Sequence, residues 1–401
     1  MAHPSPIIAH TVAAEPLASP YAAPGDPVLA IEVIQAFGPI PLEYAAIRRS
    51  CGLLDLPHRA TIEVTGSDRL DFLNRMVTQE LRGLEPPHAR RAFWLNRKGR
   101  IDADLRVIEL GDRTLLELDV HALKRTMETL PTFVFAEDVA FRDATQELHR
   151  LALHGPAGGA LLDTAADPPA DRPAASLGQG EATTARIVGA EVFVVRDDSA
   201  GEAGLELFVP TDAATRVFDR LLEAGGWRWD APEAFDPGAA RARVRPIGWL
   251  AYNVARIEAG TPLYYLDFGP DSLPHETGVL QDRVSFRKGC YLGQEVVARM
   301  ESLGQPKQRL VALRIDYAGE GREAPQPVTG DAVFAEDGGD KPIGAVTSST
   351  LSPMLGGVPV CFAMVRSAHI APGTRLNVEA GGLRVGAAVQ DGLAFHRTVR
   401  T

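Results

Sequence analysis

The spacing of apolar and polar residues predicts a mixed region of helices and strands in the longer, N-terminal part of the chain. Residues 60–66 alternate apolar and polar side chains and end on glycine, which predicts a strand. Ser67-Asp68 then supplies an N-cap signal, and apolar residues recur at helical spacing over 70–77, which predicts a helix. Further strand patterns lie at 92–96, 101–109 and 114–120, and a helical pattern follows at 121–130. These elements predict helices on an antiparallel sheet, the α+β class.

The C-terminal part has a different pattern, in which short β-type runs alternate with glycine and proline turns. The runs lie at 309–315, 332–334, 344–349, 360–365, 375–378 and 384–389. Their length and spacing predict a small β-barrel as a separate domain at 304–396. We expect the rest to divide into a disordered tail at 1–27, rich in Ala and Pro, and an α+β region at 28–303 made of two intertwined subdomains.

Composition and charge narrow the classes of protein to which the chain can belong. Its 401 residues, 45% of them hydrophobic and 23% charged, suit a soluble globular protein of more than one domain. A net charge of −11 argues against direct binding to nucleic acid or to an anionic membrane surface. No apolar run has the length of a membrane span, and residues 1–27 contain no Lys or Arg and no secretory pattern. We therefore expect a cytoplasmic location and no membrane partner.

The chain has three cysteines, Cys51, Cys290 and Cys361, which are far apart in the sequence. They form no Cys-x-x-Cys pair, so the pattern predicts a reducing compartment and no metal site held by this chain alone. Cys51 and Cys361 lie among apolar neighbours, which predicts that both are core residues.

Cys290 lies in a different setting, between Gly289 and a short helical pattern. The preceding Arg287 and Lys288, together with a helix N-terminus, would favour a thiolate over a thiol. The alternative is an ordinary turn with an inward-facing cysteine, because free cysteines are most often small buried apolar residues. The residues alone leave both interpretations open.

The segment Lys288-Gly289-Cys290-Tyr291-Leu292-Gly293-Gln294-Glu295 resembles the K-G-C-Y-x-G-Q-E motif of the YgfZ family. These are folate-binding proteins linked to iron–sulfur cluster assembly or repair, and they are related in fold to the glycine cleavage T-protein, an aminomethyltransferase. Shorter segments similar to those of the T-protein group occur at 52–56, 65–73, 153–156, 255–262 and 344–349. The resemblance implies a T-protein-like multidomain fold around a central folate cavity, with a small C-terminal β-barrel.

The same resemblance suggests roles for individual residues. Glu202, in Gly-Glu-Ala-Gly-Leu-Glu, matches a glutamate that contacts the pterin, and a carboxylate can accept two adjacent N–H groups of a pterin edge. Asp104 matches an aspartate that assists one-carbon transfer. Strand alternation places Asp102 on the same face, so either residue fits this role, and we favour Asp104. Arg256 matches an arginine that would fix Glu258 or a folate carboxylate.

These observations support three hypotheses. The first is a YgfZ-like protein that binds tetrahydrofolate, or a one-carbon derivative of it, and supports iron–sulfur assembly or repair, with Cys290 as the reactive thiol and transient contacts with iron–sulfur enzymes or assembly factors. The second is a folate-dependent aminomethyltransferase or demethylase in which Asp104 assists transfer. The third is a folate carrier without catalysis. Whether the chain is an enzyme is left open at this point.

Overall fold

The structure of the chain is a computed structural model that describes residues 5–21, 31–231, 243–317, 325–337 and 339–395. Its helices are α1 Pro6–His10, α2 Ile40–Arg49, α3 Arg69–Met76, α4 Val120–Thr129, α5 Gly158–Ala165, α6 Ala214–Ala224, α7 Trp249–Ala259, α8 Leu280–Arg283 and α9 Gln294–Leu303. The strands up to the middle of the chain are β1 Leu17–Pro20, β2 Glu32–Ala36, β3 Gly52–Asp55, β4 Arg59–Thr65, β5 His88–Leu95, β6 Ile101–Glu109, β7 Thr114–Asp119, β8 Ala140–Asp143, β9 Leu148–His154, β10 Ala182–Ile187, β11 Ala190–Arg196 and β12 Gly204–Pro210. The remaining strands are β13 Arg245–Ile247, β14 Gln308–Ile315, β15 Ala332–Ala335, β16 Gly344–Ser352, β17 Val358–Arg366, β18 Arg375–Ala380 and β19 Leu383–Val389.

These elements form two compact units. The first unit contains residues 1–73, 81–90 and 105–252, and the second contains residues 74–80, 91–104 and 253–401. A five-stranded sheet has the order β5-β6-β7-β4-β8, and its β6–β7, β7–β4 and β4–β8 pairs are antiparallel. The alternating patterns predicted β4, β6, β7 and α4 to within one residue at each end, because each pattern is bounded by glycine, turn residues or an N-cap.

The first unit contains a six-stranded sheet in the order β10-β11-β12-β9-β3-β13, in which only the β13–β3 pair is parallel. Helices α5 and α6 cover one face of this sheet with buried leucine, valine and phenylalanine side chains. Cys51 lies inside this core and is fully buried, as predicted. The loop between β11 and β12, at one end of the sheet, carries Glu202.

The second unit contains a closed six-stranded barrel in the order β14-β17-β16-β15-β18-β19. Each of the six predicted β-type runs forms one of its strands, so the predicted α+β class with a C-terminal barrel is confirmed. Alternate side chains along the strands point inward and form the barrel core, which includes the fully buried Cys361. The domain boundaries at 28–303 and 304–396 stay a prediction.

The predicted disordered tail is wrong for residues 5–21. Pro6–His10 forms α1, with Ser5 accepting a hydrogen bond from the Ile7 amide at its N-terminus, and Leu17–Pro20 pairs with β2. Ile7 is fully buried in the core of the first unit, and this apolar anchor explains the order of a segment that is otherwise rich in Ala and Pro. The other residues of the predicted tail lie outside the described residues. Among the described helices, none is both long and apolar enough to cross a membrane.

Candidate functional site

The residues predicted to carry the function lie in both units. Glu202 belongs to the first unit, whereas Asp104, Arg256 and the motif 288–295 belong to the second. Each group is therefore described with the residues of its own unit.

Glu202 follows Gly201, whose φ of +86° creates the tight turn that leads into β12. Its side chain is 20% exposed, and burial raises the pKa of its carboxyl group, although Arg48 acts in the opposite direction. The Arg48 Nη1 atom lies 3.6 Å from Glu202 Oε1 and donates to the Ala200 carbonyl at 2.8 Å. Glu202 is thus a partly accessible carboxylate with a loose cationic neighbour, an arrangement that suits a ligand rich in N–H donors.

Polar and aromatic groups that the sequence did not reveal lie close to the Glu202 loop. Tyr252 donates from its hydroxyl to Ser199 Oγ at 3.2 Å, and its ring stacks on His154 with 5.0 Å between ring centroids. Burial lowers the pKa of His154 to about 4, so this imidazole is neutral at pH 7. The available sequence signals were His154 in the Leu-His-Gly-Pro segment and Tyr252 one helical turn before Arg256.

A buried ionic network fixes the base of the Glu202 loop. Arg106 on β6 donates to Asp197 at 2.6 Å and to Glu206 at 2.7 Å. Burial alone would lower the pKa of Arg106, but Asp197, Glu206 and Glu117 raise it well above its usual value. Glu206 also accepts a hydrogen bond from Arg150, which is fully buried and stacks over the Phe208 ring. The loop therefore rests on a rigid charged base.

In the second unit, Asp104 and Asp102 project from β6, and the structure gives them different partners. Asp104 is 9% exposed, and its Oδ1 accepts a hydrogen bond from Arg283 Nε at 3.1 Å. Asp102 Oδ1 accepts from Asn96 Nδ2 at 3.1 Å, in the turn that precedes the strand. Burial lowers the pKa of Arg283, which Asp104 partly offsets. Sequence reasoning missed Arg283, since no local pattern distinguishes it.

Lys288 occupies a position that its sequence context did not indicate. Its ammonium group is buried and donates to three backbone carbonyls, those of Asn74 at 2.6 Å, Val77 at 2.7 Å and Gln79 at 2.7 Å. These hydrogen bonds hold the loop 74–80, a structural role that the sequence did not predict. Cys290 itself is exposed and not in a disulfide.

The remaining motif residues shape the start of α9. Gly293 has φ +80°, and a Cβ atom there would lie 2.8 Å from the Asn96 carbonyl oxygen, so only glycine fits. Gln294 and Glu295 form the first turn of α9, as the helical pattern predicted. Tyr291 is buried, which raises the pKa of its hydroxyl to about 12, whereas Gly289 has open space around it.

Arg256 makes four hydrogen bonds within its own unit. It donates to Asn253 Oδ1, Asp267 Oδ2 and Ser348 Oγ, each at 2.8 Å, and to the Thr261 carbonyl at 3.1 Å. Of its two predicted partners, Glu258 is not bonded to Arg256 and accepts from Ser352 instead, whereas a folate carboxylate stays a prediction. With a 1% exposed side chain, Arg256 stabilises the link between α7 and the barrel strand β16.

A cavity of about 710 Å³ lies in the first unit, lined by residues that include Arg59, Lys124, His121, His149 and Met127. None of the predicted functional residues lines it. Its volume is within the range of small-molecule sites, but the residues that the sequence predicts to be functional do not line it.

Comparisons with known proteins match both parts of the chain. The GCVT N-terminal domain matches residues 27–288, and the glycine cleavage T-protein C-terminal barrel domain matches residues 308–395. A protein named aminomethyltransferase from Bacillus subtilis (strain 168) is 28% identical over 346 residues, covering 86% of this chain and 87% of the relative. Another from Chlorobium chlorochromatii (strain CaD3) is 30% identical over 342 residues, covering 85% and 86%.

One solved structure has the same fold. It is the crystal structure of glycine cleavage system aminomethyltransferase T from Bartonella henselae, with a TM-score of 0.81, 22% identity and 99% coverage of both chains. At this identity the similarity establishes the fold alone, and the T-protein-like fold that the sequence implied is confirmed.

Proposed function

The chain belongs to the glycine cleavage T-protein family, and from this premise we propose that it is a tetrahydrofolate-dependent aminomethyltransferase. Tetrahydrofolate is the cofactor of this family. The observation that carries the proposal is the buried Asp104 carboxylate, held by Arg283, in a chain whose relatives along most of its length are named aminomethyltransferase. Membership of the YgfZ family stays a hypothesis.

The proposed reaction moves the methylene carbon of an aminomethyl group from sulfur to tetrahydrofolate. The carbon–sulfur and carbon–nitrogen bonds break, two bonds to folate nitrogens form, and the two protons of those nitrogens leave with the thiol and with ammonia. Positive charge develops on the carbon and its nitrogen as the carbon–sulfur bond breaks. A buried carboxylate stabilises such charge without reorganisation, and this is the role we propose for Asp104.

Glu202 has the complementary role in this proposal. It would accept hydrogen bonds from the adjacent N–H groups of the pterin, as the resemblance to the family implies. Its partial exposure and its 3.6 Å distance from Arg48 support this role, because a tight ion pair would have to be broken before a ligand could bind. Arg256 is a structural residue in this proposal, since its donors are engaged within the protein.

The test is an assay of purified protein with an aminomethyl-lipoyl donor and tetrahydrofolate. We expect ammonia release that depends on folate, and weaker folate binding by Glu202→Ala than by the wild type. Release that does not depend on folate, or no release, would overturn the proposal. Folate binding without release, and unaffected by Asp104→Asn, would support the carrier hypothesis instead.

A second function rests on a separate observation, the exposed and free Cys290 within a motif that resembles the YgfZ family. In this alternative the protein supports iron–sulfur enzymes through a transient contact at that thiol. The test is the iron–sulfur enzyme activity of a deletion strain that expresses Cys290→Ser. Full restoration of that activity excludes the alternative, whereas the transferase assay with the same variant shows whether the two functions are separable.

A further inference from the structure

We propose that Arg283 is a positioning residue for Asp104, and that Thr78 and Lys288 hold Arg283 in place through the loop 74–80. The catalytic consequence of this arrangement rests on the proposed transferase function. The arrangement itself is a property of the second unit, and it can be tested separately. It also gives Lys288 of the motif a structural role that does not depend on Cys290.

The first step is the contact between Arg283 and Asp104. The two side chains are 8% and 9% exposed, and a single donor, Arg283 Nε, reaches Asp104 Oδ1 at 3.1 Å. Asp104 Oδ2 accepts no hydrogen bond from any residue in the part of the chain that the structure describes. One oxygen is thus anchored and the other is left available to a substrate, which a bidentate pair would not allow.

The second step is Thr78, which fixes the backbone at Arg283. The Thr78 hydroxyl donates to the Arg283 carbonyl at 2.6 Å and accepts from the Phe93 amide at 2.8 Å. The Thr78 carbonyl in turn accepts from the Ser285 amide at 3.0 Å. This threonine therefore ties the segment around Arg283 to strand β5 by hydrogen bonds on both sides.

The third step is Lys288, which holds the loop that carries Thr78. Its ammonium bonds to the carbonyls of Val77 and Gln79, the residues on either side of Thr78, and to that of Asn74. An ammonium has three N–H donors, which matches the three carbonyls in number, and Asn74 Oδ1 lies within reach at 3.4 Å. Removing the lysine would leave the carbonyls without their donor in a buried place, and Thr78 would lose its fixed position.

The consequence is a chain of contacts from the motif to the carboxylate. Lys288 fixes the loop, the loop fixes Thr78, Thr78 fixes Arg283, and Arg283 fixes one oxygen of Asp104. Small misplacements of a reacting group are costly, since an error of about 1 Å can lower a rate about 100-fold. We therefore expect these residues to act on the rate through Asp104 rather than on folate affinity.

The test is a double-mutant cycle with Arg283→Gln and Asp104→Asn in the ammonia-release assay. We expect Arg283→Gln to lower kcat about 100-fold with little change in the KM for folate, and the double variant to be no slower than Asp104→Asn. Arg283→Lys, which keeps the charge, recovers part of the rate. The proposal would be overturned if the kcat of the double variant fell by the product of the two single effects. It would also be overturned if Arg283→Gln changed only the KM for folate.

Matched variants distinguish loss of the proposed hydrogen bonds from a nonspecific loss of structure. Thr78→Val removes the hydroxyl and Thr78→Ser keeps it, so only the first is expected to lower kcat. Arg299→Gln changes an exposed arginine of α9 and should leave kcat unchanged. Equal losses in Thr78→Val and Thr78→Ser would contradict a role for the hydroxyl bond.

The same proteins distinguish failure of this inference from failure of the proposed function. If the wild type releases no ammonia, the transferase proposal fails, and urea unfolding of the same cycle still tests the contact. We expect the double variant to unfold at the urea concentration of the less stable single variant. Additive shifts of the two midpoints would show that Arg283 and Asp104 act independently, and would overturn the inference.

Discussion

Glu202 and Asp104 are both carboxylates with an arginine neighbour, but the two are held very differently. Glu202 lies on a turn, 20% exposed, with its oxygen 3.6 Å from Arg48. Asp104 lies on a buried strand, 9% exposed, with a direct hydrogen bond of 3.1 Å from Arg283. The loose pair leaves a carboxylate that can exchange its arginine for a ligand. The tight pair holds a carboxylate at a fixed point, as stabilisation of developing charge requires.

The largest expected effect comes from removing the charge at the tightly held position. Asp104→Asn keeps the shape of the side chain, and we expect it to lower kcat for ammonia release by about 100-fold to 1,000-fold. Folate affinity should stay near that of the wild type. The control is Asp112→Asn, since Asp112 is an exposed residue in the turn after β6. A fall in folate affinity with an unchanged kcat would show that the two carboxylates have exchanged roles.

The next effect concerns the support of the Asp104 region. Lys288→Met leaves three backbone carbonyls without their donor, two of them buried, and we expect a loss of about 3 kcal/mol in the free energy of unfolding. Urea unfolding measures this loss against Lys98→Met, which removes an exposed lysine and should change little. Equal stabilities of the two variants would mean that the Lys288 hydrogen bonds do not stabilise the fold.

A smaller effect is expected at the loosely held carboxylate. Glu202→Gln removes the charge from the proposed pterin contacts, and we expect folate to bind about 10-fold to 100-fold more weakly, with kcat at saturating folate preserved. Calorimetric titration with tetrahydrofolate measures the affinity, and Glu85→Gln changes an exposed glutamate as a control. A lower kcat with unchanged affinity would contradict the division of roles.

The pH dependence of folate binding sharpens the same comparison. Burial raises the pKa of the Glu202 carboxyl above its ordinary value of 4.5, so it takes up a proton at a higher pH than an exposed glutamate. Because the proposed contact needs the carboxylate, affinity should fall as the pH is lowered, and the fall should begin above the usual range. Glu202→Gln should lose this dependence. An identical pH profile in both proteins would mean that another group controls binding.

The fold could be predicted from the sequence to a large extent because its signals are local. Strand β6 is bounded by a glycine turn and alternates, and the barrel strands are short runs between turn residues. The partners of Lys288 could not be predicted, because they are backbone carbonyls more than 200 residues away in the sequence. Every residue has such a carbonyl, so no side-chain pattern marks these three. Arg283 and Tyr252 were missed because their side-chain partners also lie far away in the sequence, whereas Arg256 was noticed but its ion pair with Asp267 was not predicted.

The smallest expected effect is at Cys290, although its motif has the clearest sequence pattern. Cys290→Ser alters an exposed side chain, so we expect the free energy of unfolding to change by less than about 0.5 kcal/mol and ammonia release to be unchanged. Cys361→Ser is the matched control, since a hydroxyl in the fully buried barrel core should cost about 1–3 kcal/mol. The motif would then serve the Asp104 region through Lys288 and Gly293, which contact the loop 74–80 and the Asn96 turn. Loss of ammonia release in Cys290→Ser would instead place the thiol in the reaction, and the motif would have a chemical role as well as a structural one.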